Sequence, residues 1–149
     1  MISCIRTDSS NKDFQQLVNK LDAELAIRDG DQHSFYDQFN KIVHIKHAIV
    51  AYENDIAVGC GAFKEYSADT LELKRMFVLL DYRNKGIASK VLSMLEEWAR
   101  ELNYKRCILE TGKNQPEAIT LYTKNGYTSI PNFGQYIGIE NSVCFEKTF

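Results

Sequence analysis

The stretch from Leu71 to Leu102 constrains the fold more than any other part of this chain. A β-prone run, Thr70 to Val78, leads through Leu79-Leu80-Asp81-Tyr82 and Arg83-Asn84-Lys85-Gly86 into a helix. Within that helix Ile87, Val91, Met94, Leu95, Trp98 and Leu102 fall at i, i+4, i+7, i+8, i+11 and i+15, a single apolar stripe. Asn103 breaks the helix, and Arg106 to Thr111 reads as the next strand. A β-α-β unit results, and the helix must bury its stripe against the sheet that carries the two strands.

The flanking sequence adds elements on both sides. Ser3 to Thr7 reads as a first strand, and Ser10 is placed to cap a helix whose apolar residues Phe14, Leu17, Val18, Leu21 and Leu25 share one face. Gly30 is expected to end that helix, and Gln32 to Asn40 to form a short second one. Ala48 to Tyr52 and Ile56 to Phe63 form a predicted hairpin around Asn54-Asp55. Further on, Pro116 opens a helix that stops at Asn125-Gly126, and strands near Tyr127 to Ile130 and Ser142 to Thr148 follow. Strands first, then β-α-β, then α and β again imply a mixed α/β sheet covered by helices.

Composition narrows the function classes. The 149 residues suit one domain, and 44% hydrophobic with 26% charged side chains is the profile of a globular protein. A formal charge of −2 lacks the basic excess of a nucleic-acid binder. No apolar run approaches the ~20 residues of a membrane span, and the first residues lack a secretory core, so a cytoplasmic protein with no membrane partner is expected. Cys4, Cys60, Cys107 and Cys144 are widely spaced, without the C-x-x-C pattern of zinc or redox sites, and are expected to be buried thiols. His44 and His47 lie three apart, but no third ligand is evident, so a surface or acceptor-loop role is expected and no metal.

The loop before the stripe carries the chemistry. Unpaired N–H groups at a helix start, with the helix dipole behind them, bind anions, and Arg83 and Lys85 add charge there. Gly86 lets backbone approach a ligand, and Ala88 keeps the first turn small. The spacing is neither that of a Walker A loop nor of a dinucleotide fingerprint. Arg83, Gly86 and Ala88, in the pattern R-x-x-G-x-A, resemble the [QR]-x-x-G-x-[GA] pyrophosphate loop of the GNAT superfamily of N-acetyltransferases. Glu72 to Val78, Asp81-Tyr82-Arg83 and Leu121 to Tyr127 resemble elements of that family in order and spacing. Two departures are Leu80, where many relatives have proline, and Ala88, where glycine is also common.

The resemblance implies a fold and a site. The fold would be a mixed, mostly antiparallel sheet flanked by helices, with acetyl-CoA as co-substrate between splayed parallel strands, Glu72 to Val78 and Arg106 to Thr111. Main-chain groups of Met76, Phe77 and Val78 would pair with the pantetheine arm, and an amide nearby would bond the thioester carbonyl. Backbone amides of Arg83, Asn84, Lys85, Gly86, Ile87, Ala88 and Ser89 would hold the pyrophosphate, and Asn114 the cofactor arm. Tyr122 would be the general acid for the leaving thiolate, with a packed phenol as its structural alternative. Glu72 would be a general base through water, although Lys74, two residues on along the same face, makes a structural ion pair the competing role.

Phe35, Tyr36 and Phe39 would form part of an acceptor wall, as would Phe133-Gly134-Gln135-Tyr136. The acceptor expected is a small-molecule amine, with a peptide or protein amine as alternative, and the protein would be a monomer or homodimer. A non-catalytic acyl-CoA sensor is the competing class.

Overall fold

The computed structural model describes residues 1–29 and 44–149. Its strands and helices are β1 (Ile2–Thr7), α1 (Lys12–Asp29), β2 (His47–Glu53), β3 (Ile56–Ser67), β4 (Thr70–Val78), α2 (Ile87–Glu101), β5 (Arg106–Gly112), α3 (Pro116–Lys124), β6 (Thr128–Ile130) and β7 (Ser142–Thr148). The strands form one seven-stranded sheet in the order β1-β2-β3-β4-β5-β7-β6. Every neighbouring pair is antiparallel except β4 and β5. The mixed, mostly antiparallel sheet with one parallel pair expected from the resemblance is what the chain forms.

Side-chain alternation divides the core between the two faces of the sheet. Ala48, Val50, Cys60, Ala62 and Phe77 meet Phe14, Leu17, Val18 and Leu21 of α1. On the other face Ile49, Val58, Phe63, Leu71 and Leu73 meet Ile87, Val91, Leu92 and Leu95 of α2, the register shifts in β3 and β4 moving some of them out of simple alternation. Each fully buried aliphatic side chain contributes about 1.5–3 kcal/mol, so the stripe that starts at Ile87 is enough to fix α2 against the sheet. Trp98 and Met94 only border this core.

Local signals account for most element ends. Asn54 and Asp55, at φ 49° and 69°, form the left-handed pair of a two-residue hairpin turn. Pro116 begins α3, and Gly126 at φ 91° follows its end. One cap differs from expectation. Asn11, not Ser10, caps α1, its Oδ1 accepting the Phe14 N–H at 2.9 Å. The Asp8 carboxylate takes both the N–H and the hydroxyl of Ser10, at 2.9 and 2.5 Å, so the helix starts a residue later. Gly30, the expected helix at 32–40, and Phe35, Tyr36 and Phe39 lie outside the described residues.

Candidate active site

The parallel pair stays together only briefly. Thr70, Leu71 and Glu72 register with Arg106, Cys107 and Ile108, and beyond them β4 and β5 no longer pair. The partners of β5 continue on its other side, where β7 pairs along its whole length to Gly112. The far half of β4 therefore turns one edge of its backbone toward open space.

A bulge in β4 lies just beyond the point where the two strands part. Its register with β3 shifts by one residue between Cys60–Phe77 and Ala62–Lys74, and Arg75 there takes φ 61°. Such a conformation in a buried arginine is costly, and it is held on both sides. The Arg75 guanidinium donates to Asp22 of α1 at 2.7 Å, and its carbonyl accepts from the Cys60 thiol at 3.3 Å. Opposite the bulge sits Gly61, where a Cβ would lie 2.4 Å from Met76 Sδ and 2.9 Å from Val91 and Leu95. The side chains of Met76, Val91 and Leu95 leave little room for anything larger than glycine there.

The opened edge forms one wall of a cleft of about 610 Å³, within the size range of small-molecule sites. Met76, Phe77 and Val78 line it from β4, Leu21, Leu25 and Arg28 from α1, and Ala118, Leu121 and Tyr122 from α3. Its far end is the loop into α2, where Gly86 takes φ 81° with open space where a side chain would be. The first amides of α2 therefore face the cleft without a capping side chain, an arrangement that suits an anion.

Arg83 in that loop is engaged by protein. Its Nε–H donates to the Val78 carbonyl at 2.8 Å, and its terminal nitrogens donate to Glu24 at 3.0 and 2.8 Å. Arg28, one turn beyond Glu24, pairs with Glu117 at the start of α3. The end of α1 is thus fixed across the cleft to both the loop and α3.

At the inner end, where the strands diverge, a smaller cavity of about 90 Å³ continues from the cleft. Leu25, Met76, Gln115 and Tyr122 border both spaces. Tyr122 is buried against Tyr127 and Phe145, and burial raises the pKa of its phenol above the usual tyrosine range, so it keeps its proton at neutral pH. Glu72 lies in the wall, 3% exposed, with Lys74 Nζ 3.1 Å from one carboxylate oxygen and Lys64 Nζ 3.9 Å from the other. Glu110 shares the cavity and accepts from the Ser142 hydroxyl at 2.8 Å.

Comparison with known proteins identifies this architecture. The sequence profile of the Acetyltransferase (GNAT) family matches residues 14–127. The chain belongs to the GNAT acetyltransferase family. That family comprises acetyl-CoA-dependent N-acetyltransferases. The N-acetyltransferase YjgM of Escherichia coli is 33% identical over 73% of this chain and 66% of its own length. IAA acetyltransferase of Azospirillum brasilense is 36% identical over 66% of this chain and 65% of its own length. The chain thus matches about 65–66% of the length of these relatives. A Klebsiella pneumoniae structure assigned as an acyl-CoA N-acyltransferase superposes at TM-score 0.83 with 30% identity, covering 99% of this chain and 97% of that one. A GNAT acetyltransferase from Elizabethkingia anophelis, solved with acetyl-CoA bound, has the same fold at TM-score 0.70 and 18% identity, covering 99% of this chain and 98% of that one.

The residues singled out in the GNAT motifs are brought together unevenly. Met76, Phe77, Val78, Arg83, Asn84, Gly86, Ile87, Ala88 and Ser89 line the cleft. Lys85 does not; its ammonium lies 5.4 Å over the Tyr82 ring. Asn114 donates to the Arg28 carbonyl of α1 at 3.4 Å, and its neighbour Gln115 lines the cleft. Glu72 and Tyr122 border the same inner cavity, and Tyr136 packs beside it. His47 stacks on Phe63 at 4.8 Å, and no group of three or more possible metal ligands occurs among the described residues. Sequence reasoning missed the bulge at Arg75, the ties from Glu24 and Arg28, and Glu110. The glycine at 61 inside an apolar strand was the one available signal for the bulge.

Proposed function

We propose that this GNAT member transfers the acetyl group of acetyl-CoA to a primary amine of a small molecule, by direct attack in a ternary complex. The observation that carries it is the separation of β4 from β5 beyond Glu72 and Ile108, opening onto the uncapped start of α2. This chain's groups suit acetyl-CoA. Backbone amides from Asn84 to Ser89 take the pyrophosphate, Gly86 letting them approach, while Arg83 holds the loop through Val78 and Glu24. The free edge of Met76 to Val78 pairs with the pantetheine arm as an added strand. The acetyl-CoA seen in the Elizabethkingia anophelis structure supports this assignment.

The acceptor arrives as an ammonium, and Glu72, directly or through water, takes one proton from it and frees the nitrogen lone pair. The nitrogen then bonds to the thioester carbon, the C–S bond breaks, and the second proton that the nitrogen sheds passes to water. Tyr122 donates a hydrogen bond to sulfur that strengthens as thiolate charge develops, and then its proton. A tyrosine phenol carries its proton at neutral pH, and burial raises the pKa of Tyr122 further. Four free cysteines fit action in a reducing compartment, the cytoplasm. Among the described residues no helix is long and apolar enough to cross a membrane.

The test is free-thiol release from acetyl-CoA with a panel of small amines. Acceptor-dependent release supports transfer. Tight acetyl-CoA binding with no release for any small amine or peptide would instead indicate a sensor.

A further inference from the structure

This inference rests on the acetyltransferase reading and names its acceptor. We propose that the acceptor is a free α-amino acid, or an analogue in which an ammonium and a carboxylate sit on one carbon, and that Lys74 selects it.

The inner cavity carries both signs of charge. Glu72 and Glu110 line it together with Lys74 and Arg75. Arg75 is tied to Asp22 of α1 at 2.7 Å, whereas Lys74 is paired within the cavity to Glu72, the carboxylate that takes the proton of the amine. The Lys74 side chain is only 10% exposed, with Glu72 Oε2 at 3.1 Å and the Tyr136 hydroxyl at 3.5 Å. An ammonium has three N–H donors, of which one is directed to the Tyr136 hydroxyl while Glu72 neutralises the charge.

A cation and an anion 3.1 Å apart form a template for a molecule whose opposite charges are equally close. The carboxylate of an α-amino acid meets Lys74 while its ammonium meets Glu72. No net charge enters the cavity, and each buried charge keeps a partner. The same contact places the amine against Glu72, the group that takes its proton. A diamine or polyamine carries no anion for Lys74 and adds positive charge beside it and Arg75. A plain amine leaves Lys74 without compensation for the water it loses. The small volume, about 90 Å³, also suits the head group of an amino acid better than an aminoglycoside.

The experiment measures thiol release for amino acids, each beside its decarboxylated counterpart: leucine with isoamylamine, phenylalanine with phenethylamine, lysine with cadaverine, arginine with agmatine. Spermidine and kanamycin complete the panel. We expect kcat/KM for the preferred amino acid to exceed that of its counterpart at least tenfold. In Lys74→Met this gap should close through a rise in the amino acid KM, with acetyl-CoA affinity by calorimetry unchanged. Lys74→Gln provides the same comparison should Lys74→Met fold poorly. Turnover of amines lacking a carboxylate at equal or higher kcat/KM would overturn the proposal and leave acetyl transfer standing. A gap that survives in both variants would overturn the role of Lys74. Absence of acetyl-CoA binding would remove the acetyltransferase reading itself.

Discussion

Arg83 and Glu24 are joined by two parallel hydrogen bonds, Nη1 to Oε1 at 3.0 Å and Nη2 to Oε2 at 2.8 Å. An arginine in a phosphate-loop motif thus spends its planar fork on a carboxylate of α1 and its Nε–H on the Val78 carbonyl. Its contribution to the loop is mechanical as well as electrostatic. Lysine can supply the charge but not this three-way geometry. Arg83→Lys should therefore weaken acetyl-CoA binding nearly as much as Arg83→Ala, about threefold to tenfold, which corresponds to about 1 kcal/mol for a partly buried ion pair. Titration calorimetry of both variants checks this, and full affinity in Arg83→Lys would count against it.

Gly61 and Gly86 should respond differently to the same added methyl group. At Gly61 a Cβ meets Met76, Val91 and Leu95, so Gly61→Ala should cost about 1–3 kcal/mol of folding stability by overpacking. At Gly86 there is open space, and only the left-handed φ of 81° is penalised, by about 1–2 kcal/mol. Gly86→Ala should in addition lower acetyl-CoA affinity, because the methyl group stands where a ligand approaches the backbone. Urea unfolding and calorimetry separate the two effects.

Tyr122→Phe should retain acetyl-CoA affinity and lose about 10²-fold in turnover, the lower range for a positioned proton donor. Packing against Tyr127 and Phe145 is preserved by phenylalanine, so stability should hardly change. Steady-state kinetics at saturating acetyl-CoA reads this out, and unchanged kcat would remove Tyr122 as the acid.

Stability should fall on mild acidification through His47. Burial against Phe63 and Trp98, and Lys46 beside it, lower its pKa from an unfolded value near 6.5. A group whose folded pKa is depressed contributes fully above its unfolded value, and that contribution is lost as pH falls through the folded one. As pH falls from neutral through the unfolded value the unfolded chain binds the extra proton, so His47→Gln should flatten the stability profile there. Asp8, Glu101 and Glu117, whose pKa values are also lowered, act at more acid pH.

How much of this was legible in the sequence follows from the range of each interaction. The stripe from Ile87, the Asn54-Asp55 turn, the Pro116 start and the Gly126 stop are local, and each marks its element as read. Arg83, Gly86 and Ala88 marked the cleft because their spacing is local as well. Partners distant in sequence were not legible. Glu24 and Arg83 are 59 residues apart, and Asp22 and Arg75 are 53 apart. The Arg75 bulge depends on a register between two strands, which no single strand records. The Ser10 cap was misassigned because the Ser10 hydroxyl donates back to Asp8, two residues earlier, while Asn11 accepts the helix N–H.

Titration of the purified protein with acetyl-CoA in a calorimeter tests the cleft most directly. One molecule is predicted to bind per chain, with affinity reduced in Gly86→Ala and Arg83→Ala while both variants remain folded. Absence of binding heat by the wild-type protein, or affinity unaltered in both variants, would contradict the assignment of the β4–β5 opening as the acetyl-CoA site.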